Sequence, residues 1–245
     1  MNLVLDFGNT MQKMAVLLSG EVVDIVKKTK IETQDIELFL KKYQARYAIL
    51  SSVVNEAAGI RGFLKSQIPL LNFSYQTAIP IQNEYRTPQT LGCDRLACAV
   101  AAKSLFPNLP TLILQMGTCI TTDFVTESGI YKGGSISPGL EMRLNALHHF
   151  SAKLPLIAYK NIDFFIGEST EESILSGVIN GIADECNGTI ARYADTFPQL
   201  KIILTGGDAK LFENRIKNDI FAIEHLVLVG LDVILNYNID NEKDM

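Results

Sequence analysis

An internal repeat is the feature that most limits what this chain can fold into. Leu3-Val4-Leu5-Asp6-Phe7-Gly8-Asn9-Thr10 lies over Leu112-Ile113-Leu114-Gln115-Met116-Gly117-Thr118-Cys119. In each copy an aliphatic strand ends in a polar residue, an apolar residue, a glycine and a hydroxyl or amide side chain. Two further strand-like runs follow each copy: Lys13 to Leu18 and Val22 to Lys27, then Ile120 to Val125 and Tyr131 to Ile136. Turn residues separate them, Ser19-Gly20 in the first copy and Glu127-Ser128-Gly129 in the second. Helical spacing comes next, and the recurrence predicts two β-β-β-α-β-α halves, 1–108 and 109–245, around a cleft.

Within this frame the spacing predicts helices over Asp35 to Tyr43, Glu56 to Ser66, Arg95 to Leu105, Leu140 to His149, Ser173 to Tyr193 and Ala209 to Lys217. Strands are expected at Tyr47 to Leu50, Ile202 to Leu204 and Leu226 to Val229, with a last helix from Leu231 and a frayed polar tail from Asn236. The 245 residues are 47% apolar and 20% charged, enough to bury a core without staples. The net charge of −5 provides no basic stripe for a nucleic acid or an anionic membrane, and neither is expected as a partner. No run approaches a membrane span, and Met1-Asn2 leads straight into a strand with no secretory signal. Cys93, Cys98, Cys119 and Cys186 lack zinc spacing and read as thiols of a reducing compartment, so a cytoplasmic location is expected.

Three strings carry chemistry. Asp6-Phe7-Gly8-Asn9-Thr10 sits at a strand end, where a glycine turn lets backbone N–H groups approach a phosphate. Asp6 there suits a divalent ion and Lys13 adds a cation; the alternative is a plain β-hairpin turn. Gly117-Thr118 repeats the chemistry, and Thr205-Gly206-Gly207 follows a strand, where its glycines suit a turn. In Gly92-Cys93-Asp94-Arg95, Asp94 either caps a helix or serves as a general base, and Arg95 suits a bidentate carboxylate clamp. Gly133-Gly134 and Pro138-Gly139 are expected to shape a bend, with Gly134 and Ser135 as candidates to approach a substrate. Asp123 is read as facing solvent in preference to touching a metal. His148, His149 and His225 carry no ligand signal.

The ordered set resembles the type III pantothenate kinases of the acetate and sugar kinase/Hsp70/actin superfamily. It consists of Asp6 to Thr10, Thr90 to Arg95, Gly117 to Asp123, Gly133 to Leu140, Leu154-Pro155, Gly167 to Thr170 and Thr205 to Gly207. The resemblance implies an α/β, duplicated ribonuclease H-like (actin-like ATPase) fold. It implies transfer of the γ-phosphate of ATP to the 4′-hydroxyl of pantothenate, the first step of coenzyme A synthesis, with Asp94 as base. Tyr85, Gly92, Cys93, Asp94, Arg95 and Thr170 match its pantothenate site. Asp6, Phe7, Gly8, Asn9, Thr10, Met11, Gln12, Lys13, Thr118, Gly206 and Gly207 match its ATP site.

A homodimer that completes the pantothenate pocket is implied too, with Mg²⁺ or another divalent ion (Asp6) and K⁺ or NH₄⁺. The family carries Asp at the monovalent-ion position, and here it is Gln115, so K⁺ binding there is expected to be weak or absent. The competing readings are a non-catalytic binding relative, akin to Bvg accessory factor, and a kinase of another small hydroxy acid.

Overall fold

The computed structural model describes residues 1–8, 10–52 and 58–243. The chain forms two compact units: 1–107 with 129–131 and 225–245, and 108–128 with 132–224.

The first unit is built on a five-stranded sheet, ordered β3-β2-β1-β4-β5. Its strands are β1 (Asn2–Phe7), β2 (Gln12–Leu18), β3 (Glu21–Lys28), β4 (Tyr47–Ser52) and β5 (Leu70–Asn72). β2 is antiparallel to β1, whereas β4 is parallel to it. Period-two patterning separates the two faces of β1. Leu3, Leu5 and Phe7 join Met14, Val16, Ala48 and Leu50 in a core closed by Ile36 and Phe39 of α1 (Thr33–Tyr43) and Leu64 of α2 (Ala58–Gln67). The other face carries Asn2, Val4 and Asp6. Asn2 donates at 2.7 Å to Asp232 of α7 (Leu226–Lys243). α3 (Cys93–Leu105) packs against α7, and β6 (Gln82–Asn83) runs beside Ile130-Tyr131.

In the second unit β7 (Thr111–Met116), β8 (Cys119–Val125), β9 (Ile130–Pro138), β10 (Lys201–Thr205) and β11 (Phe221–Ala222) take the order β9-β8-β7-β10-β11. This is the order of the first sheet repeated, and again the second strand is antiparallel to the first while the post-helical strand is parallel. The repeat in sequence is therefore a repeat in topology. Leu112, Leu114 and Met116 occupy the places of Leu3, Leu5 and Phe7. They pack on α4 (Leu140–His149), α5 (Thr170–Thr196) and α6 (Ala209–Phe212).

Three expectations are corrected. Leu226 to Val229 is not a strand but the first turn of α7, and a four-residue apolar run cannot distinguish the two by period. That helix packs in the first unit, so the last segment of the expected half 109–245 belongs with residues 1–107. Gly230 allows this, because a Cβ there would lie 1.9 Å from the Ala97 carbonyl oxygen of α3. The expected helix to Lys217 is one turn of α6 and a 3-10 turn, Glu213–Arg215. Residues 56–57 of the expected second helix, and Asn9, lie outside the described residues.

Candidate active site

Strand register and one helix start assemble the polar cluster of the first unit. Asp6 pairs across the ladder with Lys13 on β2 and Ser51 on β4, so the three share a face. Burial pushes the Asp6 carboxyl up to about 6; Lys13 pulls it down and Asp94 pushes it further up. The Cys93 thiol is raised by burial, then by Asp94 and Asp6. Asp6, Lys13, Cys93 and Asp94 thus sit within electrostatic reach of one another.

Asp94 stands in the first turn of α3, where the N-cap is Gly92. Its carboxylate is therefore not the cap, although the helix dipole favours its charge. A Cβ on Gly92 would fall 2.5 Å from Asp94 Oδ1, so the missing side chain makes room for the carboxylate. A 3-10 turn, Pro88–Thr90, leads into this start. Arg95 is 5 % exposed, and its guanidinium carbon lies 5.9 Å from the centre of the Tyr85 ring, itself 6.2 Å from that of Tyr131. A cation–π contact of this kind orients a guanidinium.

The loop residues divide by role. Gly8 N–H donates to the Met11 carbonyl at 3.2 Å, closing the turn, and Thr10 and Met11 are exposed. Phe7 is buried in the core, and Gln12 accepts from the Ile31 N–H at 2.7 Å, so these two offer a ligand only backbone.

The second unit gathers the other motifs. Gly117 N–H donates to the Cys119 carbonyl at 3.1 Å, which leaves Thr118 exposed at the loop. Gly139, the N-cap of α4, donates at 3.1 Å to the Thr118 carbonyl, and a Cβ on it would lie 2.1 Å from the Gly117 oxygen. Gly206 has φ +101°, and its Cβ would fall 2.1 Å from the Met116 oxygen. The Thr205-Gly206-Gly207 turn therefore rests on the strand end that carries Gly117-Thr118, as Asp208 N–H does at 3.1 Å. Burial and then Glu141 raise the Asp208 carboxyl.

Gln115 takes the position of Asp6, flanked in register by Thr121 and Thr205. Gly134 and Ser135 are structural: a Cβ on Gly134 would strike the Thr122 carbonyl, and Ser135 bonds Thr122 Oγ1. Asp123, expected at the surface, is fully buried and lies within 3.4 Å of Thr121 Oγ1. His148 Nδ1 is 2.8 Å from the Leu154 carbonyl oxygen, and His149 edges onto Phe150. Thr170 opens α5 behind its N-cap Ser169 and lines an apolar groove of about 1300 Å³ with Met142, Leu147, Phe150 and Gly167.

Sequence reasoning missed Ser51 and Asp208. Only a register would have revealed Ser51, whereas Asp208 directly follows a glycine pair that was already singled out.

Comparison with known proteins gives the family and the fold. The family profile described as type III pantothenate kinase matches residues 2–192. A type III pantothenate kinase of Christiangramia forsetii is 46% identical over 242 residues, covering 97% of this chain and 99% of that one. One from Bacteroides fragilis is 42% identical over 239 residues, covering 97% and 98%. Among solved structures, a Campylobacter jejuni protein assigned to the Baf family of transcriptional activators superposes with TM-score 0.62 at 21% identity, over 97% and 99% of the chains. Component A of (R)-2-hydroxyglutaryl-CoA dehydratase from Acidaminococcus fermentans gives 0.52 at 14%, over 97% and 98%. At these identities the two structures speak to the fold alone, the duplicated actin-like one.

Proposed function

The chain belongs to the type III pantothenate kinase family, and on that premise we propose that it phosphorylates the 4′-hydroxyl of pantothenate with ATP, using Asp94 as general base. The observation that carries the reading is the convergence of Asp6, Lys13, Cys93 and Asp94 at the start of α3. Asp94 takes the hydroxyl proton as that oxygen bonds to the γ-phosphorus, and the bond to the ADP oxygen breaks. Arg95, over the Tyr85 ring, pairs with the pantothenate carboxylate. In the first unit the backbone amides of the Gly8 turn and Lys13 offer contacts to phosphate; in the second the Gly117 turn and Thr118 offer the same. The Gly206-Gly207 turn admits the adenosine.

The carboxylates fit a divalent ion that arrives on the nucleotide. Asp6 is half-buried and destabilised by Asp94, and a cation relieves both effects. When bound, the ion neutralises phosphate charge. Gln115 offers an uncharged carbonyl oxygen where the family carries a carboxylate, so K⁺ activation is weak. Exposed Phe150, which lines the groove with Thr170, and exposed Phe165 and Ile166, which precede its Gly167 in the chain, support a homodimer that completes the pantothenate site. Free thiols at all four cysteines are compatible with work in the cytoplasm. Among the described residues no helix is long and apolar enough to cross a membrane.

A coupled assay of ADP release tests this across a K⁺ series at fixed ionic strength. The expected result is pantothenate-dependent release with a shallow K⁺ response. Steep, saturable activation contradicts the Gln115 reading, and release that ignores pantothenate contradicts the kinase reading.

A further inference from the structure

One polar row crosses the first sheet at a single register: Ser51 on β4, Asp6 on β1, Lys13 on β2 and Lys27 on β3. Directly paired residues project to the same face with Cβ atoms about 5 Å apart. Lys13 and Lys27 thus lie side by side on the face of Asp6.

The register that creates the pair is a departure from the default. From the Ser19-Gly20 turn, Leu18 pairs with Glu21 and Leu17 with Val22. Continued unchanged, that register sets Val26 opposite Lys13. Instead it shifts between Val16 and Leu17, and Val16 pairs with Asp24. Val23 is the additional residue, and it is 47% exposed. A one-residue shift exchanges the two faces of a strand. Here it turns Val26 to the core of Leu3, Leu5 and Met14, and turns Lys27 to the face of Asp6. Lys28 takes the opposite face, where it pairs at 2.7 Å with Asp35 of α1. The bulge delivers one particular lysine to the active face.

We propose that Lys27 is a second cation for the phosphate chain of the nucleotide, acting beside Lys13. This rests on the reading of residues 6–13 as the ATP phosphate loop. Lys27 lies two strands from Asp6, on the side of Lys13, and so extends the row along the nucleotide. It is a binding and positioning residue, with no share in proton transfer.

The test is steady-state kinetics of Lys27→Gln, Lys27→Glu and Lys27→Arg, with Lys13→Gln and Lys28→Gln for comparison and thermal melts for each. Lys27→Gln is expected to raise KM for ATP about fivefold and Lys27→Glu more, with kcat and KM for pantothenate little changed. Lys27→Arg restores the ATP KM to within about twofold, and Lys28→Gln leaves it unaltered. An unchanged ATP KM in both Lys27→Gln and Lys27→Glu, while Lys13→Gln raises it, overturns the proposal and spares the loop reading. A rise in KM for pantothenate alone overturns the assignment to the nucleotide. Failure of the loop reading shows separately, as an ATP KM that Lys13→Gln does not move.

Discussion

Asp6 has a charge that the fold works against. Burial and Asp94 raise its carboxyl from 3.8 to about 6 against the pull of Lys13. Between those values the folded chain holds a proton that the unfolded chain has released. This contribution to stability is full below about pH 3.8, falls as the pH rises through about 6 and is level above it. At about 1.4 kcal/mol per pH unit the ionised group costs about 3 kcal/mol. Asp6→Asn, free of metal and nucleotide, is therefore expected to unfold at higher urea at pH 7.5, its advantage over wild type shrinking toward pH 4. An advantage that grows toward acid contradicts the account. Gly92 is the matching steric case. A Cβ there meets Asp94 Oδ1, so Gly92→Ala is expected to lower kcat roughly tenfold while sparing the melting temperature. Asp94 and Arg95 were legible because a glycine and a helix start flank them. The burial of Asp123 was not, since strand alternation leaves open which face a sheet covers on both sides.

Elements depend on a few missing side chains. The Gly230 contact of α7 with α3 allows no Cβ, so Gly230→Ala is expected to cost roughly 3 kcal/mol and, by moving α3, to lower activity as well. Denaturant unfolding and kcat measure the two effects. Gly188, exposed within α5 with nothing near its Cβ position, gives the opposite sign: Gly188→Ala is expected to stabilise by about 1 kcal/mol. β1 to β4 and β7 to β10 were legible from apolar runs and turn residues, whereas the two- and three-residue strands β5, β6 and β11 were too short to show a pattern. α7 was partly hidden, because Leu226 to Val229 and Gly230 look like a strand and its stop. What decides the matter is a tertiary contact with Ala97 that no local pattern records. The bulge at Val23 was hidden in the same way, since its cause is the facing of Val26 and Lys27 rather than any turn residue.

At the scale of the molecule, the recurring strand order makes the two sheets copies whose first strands have diverged near their ends: Asp6 in one, Gln115 in the other. Phe150, which lines the groove with Thr170, is 85% exposed, and Phe165 is 79% exposed. Apolar surface of this kind is expected to close on a second copy. Light scattering is expected to give a dimer, and Phe150→Glu to weaken it together with pantothenate binding; a wild-type monomer with full activity contradicts this. The central claim is that Asp94 accepts the proton in phosphoryl transfer from ATP to pantothenate. Its most direct test is pantothenate-dependent ADP release by wild type and Asp94→Asn. The account predicts turnover by wild type and a fall in kcat of about 100-fold or more in the variant, with ATP binding largely retained. Near-wild-type turnover by Asp94→Asn contradicts it.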